Sequence, residues 1–186
     1  SASRNFMIIC SVEKRLFLGI ACLHFRSRSY HFIWNGFWGA GHPEESYFEG
    51  IAFWSIKENK LIVNYPNSHY VFGVDKNGED KTNGAYKPIV RIFKNAKQSL
   101  VDHGTIAKSL APSYFIECLL YNVPNNLFSS DYLGSTSSIL NWLLEADLED
   151  FHCQNRIVQL FGQANDQWST TNAKSFIDSA ARFWIA

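Results

Sequence analysis

The chain has 186 residues, which is enough for one domain, or for one and a half small ones, with a sizeable core. Seventeen basic and seventeen acidic residues cancel, so a globally basic nucleic-acid binder is not indicated and any phosphate site must be local. Hydrophobic residues make up 46% of the chain and aromatic residues 16%, which excludes a disordered polymer and favours a compact core or an interface.

The four cysteines lie far apart in apolar surroundings and form no CxxC pair; they are Cys10, Cys22, Cys118 and Cys153. This usage predicts buried thiols in a reducing compartment, in preference to a zinc site or a disulfide framework. No apolar run approaches the ~20 residues that cross a bilayer, and the N-terminal stretch lacks a signal peptide's layout because EKR follows its apolar patch. The sequence therefore predicts a cytoplasmic protein with no membrane partner.

The first third of the chain has the pattern of β-strands. Residues 16–25, LFLGIACLHF, form a near-continuous apolar run that predicts a strand buried on both faces. A Gly-rich loop follows at 35–46, and the stretches 47–56 and 60–65 then flank KEN, which predicts a hairpin. Residues 73–84 are polar and punctuated by glycine, so they predict a surface loop.

From Ala85 the hydrophobic period becomes that of a helix. Apolar residues recur along one side, namely Ile89, Phe93, Ala96 and Leu100. Polar and basic residues occupy the opposite side, namely Lys87, Arg91, Lys94 and Gln98. Gly104 is suited to end this helix because glycine readily adopts the left-handed conformation.

Further helices are predicted in the second half of the chain. One helix is predicted to begin at Pro112 and to end near Pro124. Two more open with Ser/Thr caps, at 135–146 and 169–185, and another short helix within 155–163 ends at Gly162.

This order of elements predicts an α+β fold. A few strands of a sheet, in residues 1–84, precede a helical bundle in residues 85–186. The tryptophans are predicted to be core residues.

A strong local charge imbalance stands out in the neutral composition. Between residues 81 and 113, six basic residues accompany a single acid, Asp102. The basic residues are Lys81, Lys87, Arg91, Lys94, Lys97 and Lys108. Lys87, Arg91 and Lys94 share a helix face, so they offer paired cations to a polyphosphate. The alternative interpretation is a helix face that is simply solvated.

Ser113 and Tyr114 stand at the start of the next predicted helix. The helix start supplies hydroxyl and amide donors for phosphate, and the tyrosine ring offers a surface on which a base can stack. The alternative is that Ser113 only caps the helix.

Three stretches resemble a known family in their order and spacing. They are IVNYPNSHY (62–70), DKNGEDKTNGAYKPIVRIFKNAK (75–97) and SYFIECLLYNVPNNLF (113–128). They resemble the later part of bacterial nucleotidyltransferases of the DNA polymerase beta-like superfamily, close to the oligoadenylate and cyclic-dinucleotide synthases. The resemblance covers roughly residues 16 to 185 and is most specific from Asn64 to Phe128. It implies a nucleotidyltransferase-type sheet followed by a helical domain that closes over the nucleotide.

The resemblance also implies roles for individual residues. Lys94 would face the triphosphate, Ser113 would contact the phosphates and Tyr114 would stack on the base. Together with Lys87 and Arg91, these residues form the predicted site for a nucleoside triphosphate. The resemblance further implies that Mg²⁺ accompanies the triphosphate.

The family's chemistry uses carboxylates that hold two divalent metals. Two of these carboxylates follow a Gly-Ser helix start in the family. This chain is expected to begin after that part of the family's sequence. The third belongs on the strand that matches residues 16–25, where aligning Leu23, Phe25 and Arg26 with the family pattern places Leu18 at the aspartate position. No catalytic or metal-binding residue is therefore assigned.

Two other features have weaker functional interpretations. Gly134-Ser135, then eleven intervening residues, then Asp147-x-Glu149 satisfy the superfamily's short pattern. This stretch comes after the nucleotide-lid segments and is interpreted as a helix end running into an acidic turn. His69 has no partner at motif spacing and is predicted to hydrogen-bond locally in a turn.

The leading hypothesis is a nucleotidyltransferase-like protein that binds a nucleoside triphosphate through its helical half and is incomplete for catalysis as a single chain. A second chain that supplies the missing half, or a second copy of this chain, is a candidate partner. The alternative is a non-catalytic interaction module that uses exposed strand edges and tryptophans. Single-stranded nucleic acid binding on the lysine face is a third hypothesis and is not favoured.

Overall fold

The computed structural model describes residues 6–12, 15–21, 50–55, 59–164 and 167–185. The chain divides into two compact units, Ser1–Asn67 and Ser68–Ala186. Strands lie in the first unit and helices fill the second, so the predicted α+β fold class is confirmed. The boundary between the two units falls at residues 67 and 68, earlier in the chain than the domain boundary predicted at residues 84 and 85. The predicted division into domains stays a prediction.

The first unit contains two antiparallel hairpins. β1 (Phe6–Val12) pairs with β2 (Arg15–Ala21), and β3 (Ile51–Ser55) pairs with β4 (Lys60–Asn64). The second hairpin confirms the prediction made from the two stretches flanking KEN. β1 is not predicted from the sequence.

The predicted strand at 16–25 coincides with β2 as far as residue 21. Residues 22–25 and the predicted loop at 35–46 lie outside the described residues.

α1 (Pro66–Lys76) is a helix that the sequence analysis did not predict. The predicted turn around His69 is therefore wrong, and so is the start of the predicted loop at 73–84, because the loop begins only at Asn77. The first turn of α1 has no acidic residue, and Pro66 at its first position was the signal available. The helix lacks a strong local pattern of apolar residues, and the tertiary contacts described below stabilise it.

α2 (Tyr86–Asp102) confirms the first predicted helix, and its apolar side is buried. Gly104 ends it as predicted, with φ of +71°. The N–H of Gly104 donates to the carbonyl of Val101 at 2.9 Å, and the N–H of Thr105 donates to that of Leu100 at 2.8 Å. This is the Schellman arrangement, which satisfies the last carbonyls of a helix.

α3 (Ser113–Tyr121) confirms the second predicted helix, with Pro112 in the capping position just before its first residue. Its buried residues are Ile116, Cys118, Leu119 and Leu120. Pro124 then follows the helix, as expected for a residue that cannot continue one.

α4 (Tyr132–Glu145) begins earlier than predicted. Its N-cap is Asp131, whose carboxylate accepts a hydrogen bond from the N–H of Gly134 at 3.0 Å. The predicted cap, Ser135, is instead buried within the helix, where its hydroxyl accepts from the N–H of Ser129 at 2.9 Å. The prediction that Ser135 opens this helix is therefore wrong.

The predicted helix at 155–163 is also wrong, since this segment is irregular and makes isolated bridges. The side-chain carbonyl of Asn155 accepts from the N–H of Ile157 at 2.9 Å and of Val158 at 3.3 Å. Asparagine side chains that bond the backbone two residues on compete with helix formation. Arg156 has φ of +58°, which no helix would allow.

α5 (Thr170–Ile185) confirms the last predicted helix, with Ser169 before it as the predicted cap. It packs against α2 and α4. Trp168 is buried, and Trp142 and Trp184 pack against the core, as predicted. The side chains of the other three tryptophans lie outside the described part.

Candidate functional site

The basic face of α2 meets α3 through one ion pair. The ammonium of Lys94 donates to the Oε2 of Glu117 at 2.7 Å, and the two side chains are 31% and 26% exposed. Glu117 lies four residues after Ser113, so the two share a face of α3, with Cβ atoms about 6 Å apart. Lys94 therefore lies on the side of α3 that carries Ser113.

His69 joins this ion pair from α1. Its Nε2 lies 3.5 Å from the Oε1 of Glu117, and its ring stacks on Tyr114 with centroids 5.0 Å apart and an interplanar angle of 24°. The amide of Gln154 donates to the His69 carbonyl at 2.6 Å and fixes this turn of α1. We call His69, Lys94, Tyr114 and Glu117 the Glu117 cluster.

The Glu117 carboxylate is strongly held in its ionised form. A hydrogen bond from His69, together with a shorter one from Lys94 and the charges of both, lowers its pKa to about 2, although burial opposes this change. The carboxylate is therefore negative throughout the neutral range, and any anion that approaches Lys94 meets it.

Tyr114 is half-buried, and its hydroxyl points toward the core. Asn155 donates to the hydroxyl oxygen at 3.4 Å, and burial, followed by the neighbouring Cys118 and Cys153, raises the pKa of the phenol. One ring face lies on His69, while Phe115 approaches at an interplanar angle of 69°. The phenol remains neutral, and His69 covers one of its two ring faces.

The other predicted site residues have fewer contacts. The ammonium of Lys87 lies 5.8 Å from the centre of the Tyr70 ring. Arg91 and Ser113 are exposed, and neither side chain makes a hydrogen bond or ion pair with the residues that the structure describes. Lys87, Arg91 and Lys94 follow one another at helical spacing along α2, so they form one basic face.

A second lysine, which sequence analysis did not single out, lies farther along α1. Lys76 is only 6% exposed, and its ammonium donates to the Val123 carbonyl at 2.7 Å and to the Asn125 side chain at 2.8 Å. The rings of Tyr86, Tyr121 and Phe128 surround it, with centroids 5.1 to 5.7 Å away. We call this arrangement the Lys76 cage.

The Lys76 cage is structural in character. Burial, and then the charge of Arg156, lowers the pKa of Lys76 to about 8. Its ammonium bonds the backbone just beyond the C-terminus of α3, where cations are favourable. Two of its three donors are already used, so the cage fixes the end of α3 and offers little to a ligand.

Sequence reasoning missed two members of the Glu117 cluster. Glu117 was detectable, because it lies one helical turn after Ser113 on a predicted helix. His69 was not, because the helix that carries it lacks a clear pattern and its partners are distant in sequence.

The short pattern at Gly134-Ser135 and Asp147-x-Glu149 does not form a site. The two halves lie at opposite ends of α4, a separation of about 20 Å for a helix of this length. Asp147 is exposed and accepts from the N–H of Glu149 at 3.1 Å, which confirms the acidic turn. The prediction that Cys118 and Cys153 are buried thiols is confirmed as well.

The described residues lack two further kinds of feature, a metal-binding cluster and a membrane-spanning helix. No group of three or more His, Cys, Asp or Glu side chains in this part of the chain is arranged to hold a metal ion. Within the same residues, every helix is too short or too polar to cross a membrane. The cytoplasmic location stays a prediction.

Comparisons with known proteins agree with the resemblance seen in the sequence. Residues 72–185, more than half of the chain, match the family described as the cGAS/DncV-like nucleotidyltransferase C-terminal helical domain. The chain is 44% identical to the cyclic UMP-AMP synthase of Rhodothermus marinus, over 76% of this chain and 48% of that protein. It is 43% identical to a cyclic nucleotide synthase of Staphylococcus haemolyticus, over 78% of this chain and 49% of that protein.

Solved structures show the same relationship. The Rhodothermus marinus c-UMP-AMP synthase, solved with Apcpp and Upnpp, matches with a TM-score of 0.70 and 43% identity over 77% of this chain and 48% of that chain. The Elizabethkingia meningoseptica cyclic dinucleotide synthase, solved with GTP and Apcpp, matches with a TM-score of 0.65 and 36% identity over 72% of this chain and 49% of that chain.

The chain spans about half the length of the curated relatives it matches. The match covers all of α2, α3, α4 and α5 and the last part of α1, from residue 72 onward. Its fold is that of the helical lobe of these α+β nucleotidyltransferases, preceded by strands. The chain belongs to the cGAS/DncV-like nucleotidyltransferase family, whose C-terminal helical domain it contains.

Proposed function

We propose that this chain is the nucleotide-binding half of a nucleotidyltransferase of the cyclic nucleotide synthase type. It holds a nucleoside triphosphate with Lys87, Arg91, Lys94, Ser113 and Tyr114. The observation that carries this proposal is the contact of Lys94 with Glu117, which brings a cation of α2 to the face of α3 that begins with Ser113. Two related synthases were solved with triphosphates or their analogues, which supports the same ligand class.

The phosphates would lie between α2 and the start of α3. Lys94 is partly exposed, so a phosphate oxygen can reach its ammonium and replace the Glu117 carboxylate in a charge-assisted hydrogen bond. Arg91 is exposed on the same face and supplies a second cation. The N–H groups in the first turn of α3 add donors at the positive end of its dipole.

The base would stack on Tyr114. Because His69 covers one face of the ring, the base takes the opposite face. The buried hydroxyl anchors the ring at its far end, so the stacking surface is fixed before the nucleotide arrives. Fixing a surface in advance lowers the entropic cost of binding.

Mg²⁺ is proposed to arrive with the triphosphate. The described residues do not supply a metal site of their own, and no reaction step is assigned to a metal here. We propose that nucleotide transfer needs carboxylates from elsewhere, in the remainder of a longer protein or in a second chain. Leu18, on β2, occupies the position where the resemblance expects one of them.

Calorimetry tests the binding proposal directly. Each of the four common ribonucleoside triphosphates would be titrated into the chain with Mg²⁺ present. We expect saturable binding of at least one, weakened about tenfold or more by Lys94→Gln, since a charge-assisted hydrogen bond is worth roughly 1.5–3 kcal/mol. Lys174→Gln, on the exposed face of α5, is the matched control and should bind like the wild type.

Absence of heat with all four triphosphates, from a chain that is folded by circular dichroism, would refute the proposed function. Equal affinity of the Lys94 and Lys174 variants would refute the assigned site and leave the ligand class standing.

A labelled-nucleotide assay tests the proposal about transfer. We expect no transfer by the chain alone, and transfer when a catalytic half from a related synthase is added. Transfer by the isolated chain would contradict the proposed incompleteness.

A further inference from the structure

Glu117 poses an electrostatic problem for the proposed site. In the structure its carboxylate holds the ammonium of Lys94 at 2.7 Å. A triphosphate that takes Lys94 brings several negative charges to within a few ångströms of this carboxylate. Like charges at that separation repel strongly where water is partly excluded.

His69 is the group placed to relieve that repulsion. Its Nε2 lies 3.5 Å from the other carboxylate oxygen, and the ring is only 18% exposed. The charged and titratable groups around it are Glu117 and Tyr114 from α3 and Lys94 from α2. Gln154, which bonds its backbone carbonyl, carries no charge.

The two ring nitrogens of His69 have different surroundings. Nδ1 is buried and makes no hydrogen bond within the part of the chain that is described. A ring that donates from Nε2 to the Glu117 carboxylate and carries no proton on Nδ1 leaves no buried donor without an acceptor. The ammonium of Lys94 already balances the charge of the same carboxylate while no nucleotide is bound.

Resting on the proposed function, we propose that His69 and Glu117 are positioning residues of the triphosphate site. The Glu117 carboxylate holds the ammonium of Lys94 in place until the phosphates bind that ammonium. Glu117 then pairs with the His69 ring, which takes up a proton from solvent. The triphosphate and the proton therefore bind cooperatively. Because His69 stacks on Tyr114, the same ring also links the phosphate contacts to the surface proposed for the base.

The direction of the pH effect on triphosphate affinity follows from the linkage between proton binding and nucleotide binding. If the nucleotide-bound chain holds more protons than the free chain, affinity rises as the pH falls. The triphosphate itself also titrates, so the contribution of the ligand must be separated from that of the protein. His69→Phe does this, since it keeps an aromatic ring against Tyr114 and removes the titrating nitrogens.

The experiment measures protons taken up on binding. A non-hydrolysable ATP analogue with Mg²⁺ would be titrated into the chain at neutral pH, in two buffers of different ionisation enthalpy. We expect the wild type to take up a fraction of one proton more than His69→Phe and more than Glu117→Gln. The NMR signal of the His69 ring should shift toward its protonated position when the analogue is added.

The possible results separate the two proposals. Binding with the same proton uptake in the wild type and both variants would overturn this inference and leave the proposed function standing. Absence of binding by the folded wild type would overturn the proposed function, and this inference with it. Glu117→Gln is a second probe if His69→Phe fails to fold, and the ring signal of the wild type requires no variant.

Discussion

Lys94 and Lys76 are both held by α3 or the chain just after it, but in opposite ways. Lys94 is about one third exposed and bonds a single carboxylate near the start of α3. Lys76 is buried beyond the end of α3, with two neutral oxygen acceptors and three aromatic rings around it. The carboxylate on Lys94 can be exchanged for a ligand, whereas Lys76 has two of its three donors bonded to buried or partly buried acceptors and holds the fold.

The difference shows how a basic residue can be assigned to binding or to structure. Charge alone does not distinguish the two lysines, and exposure alone would favour many surface lysines with no role. The useful property is whether the partner of the cation can be replaced by a ligand at little cost. A carboxylate open to solvent can be replaced by a phosphate, but a buried backbone carbonyl cannot lose its donor without a penalty.

The largest expected effect is on stability at Lys76. Lys76→Met should lower the free energy of unfolding by about 2–3 kcal/mol, because it leaves the buried Val123 carbonyl without a donor. Urea denaturation measures this change. Lys81→Met, at an exposed lysine beside Asp80, is the control and should stay within about 0.5 kcal/mol of wild type. A neutral or stabilising Lys76→Met would show that the Lys76 cage does not hold the fold.

The next largest expected effect is a loss of folding stability in acid, which depends on Glu117. Its pKa is lowered from 4.5 to about 2 on folding, so its contribution to stability is complete above pH 4.5 and is lost as the pH falls toward 2. We expect a loss on the order of 2 kcal/mol over that range, since each pKa unit corresponds to about 1.4 kcal/mol and the group is partly screened. Unfolding midpoints at stepped pH measure it.

Glu117→Gln is the comparison for the acid series. It removes the ionisable group and should flatten the stability curve between pH 4.5 and 2. An equally steep loss in this variant would assign the acid sensitivity to other carboxylates.

A smaller effect concerns the ring of Tyr114. Tyr114→Leu should weaken triphosphate binding about tenfold, because base stacking on an aromatic ring is worth roughly 1–3 kcal/mol. Tyr114→Phe keeps the ring and should bind within about twofold of the wild type. Competition against a fluorescent nucleotide measures both. If Tyr114→Phe binds as weakly as Tyr114→Leu, the hydroxyl and not the stacking surface is responsible.

The smallest effect is expected at Lys87. Its ammonium lies over the Tyr70 ring, an exposed cation–π contact worth about 0.5–1 kcal/mol. Lys87→Gln should weaken triphosphate binding about threefold at low salt, and less at high salt, because its charge acts at a distance. An effect as large as that of Lys94→Gln would show that Lys87 contacts the phosphates directly.

The sequence predicted the elements whose local pattern agrees with the fold. α2 has a clean apolar side and is followed by a glycine, and α3 and α5 begin directly after Pro112 and Ser169. α1 was missed because its stability comes from contacts with distant residues, such as Gln154 on His69 and Val123 on Lys76. The segment at 155–163 was misread because the Asn155 side chain diverts the backbone from a helix.

The candidate site divides in the same way. The basic face of α2 and the start of α3 were visible in the sequence, because helical periodicity places those residues. Their exact partners were not, since Glu117 and His69 meet Lys94 and Tyr114 only through the packing of three helices. Periodicity predicts which residues share a face, but not which face of another helix they meet.

The most direct test of the account is a crystal structure of the chain with a non-hydrolysable triphosphate and Mg²⁺. The account predicts the ammonium of Lys94 on a phosphate oxygen, the base on the Tyr114 face opposite His69, and Glu117 on His69. A triphosphate bound elsewhere, with the 2.7 Å contact between Lys94 and Glu117 intact, would contradict it.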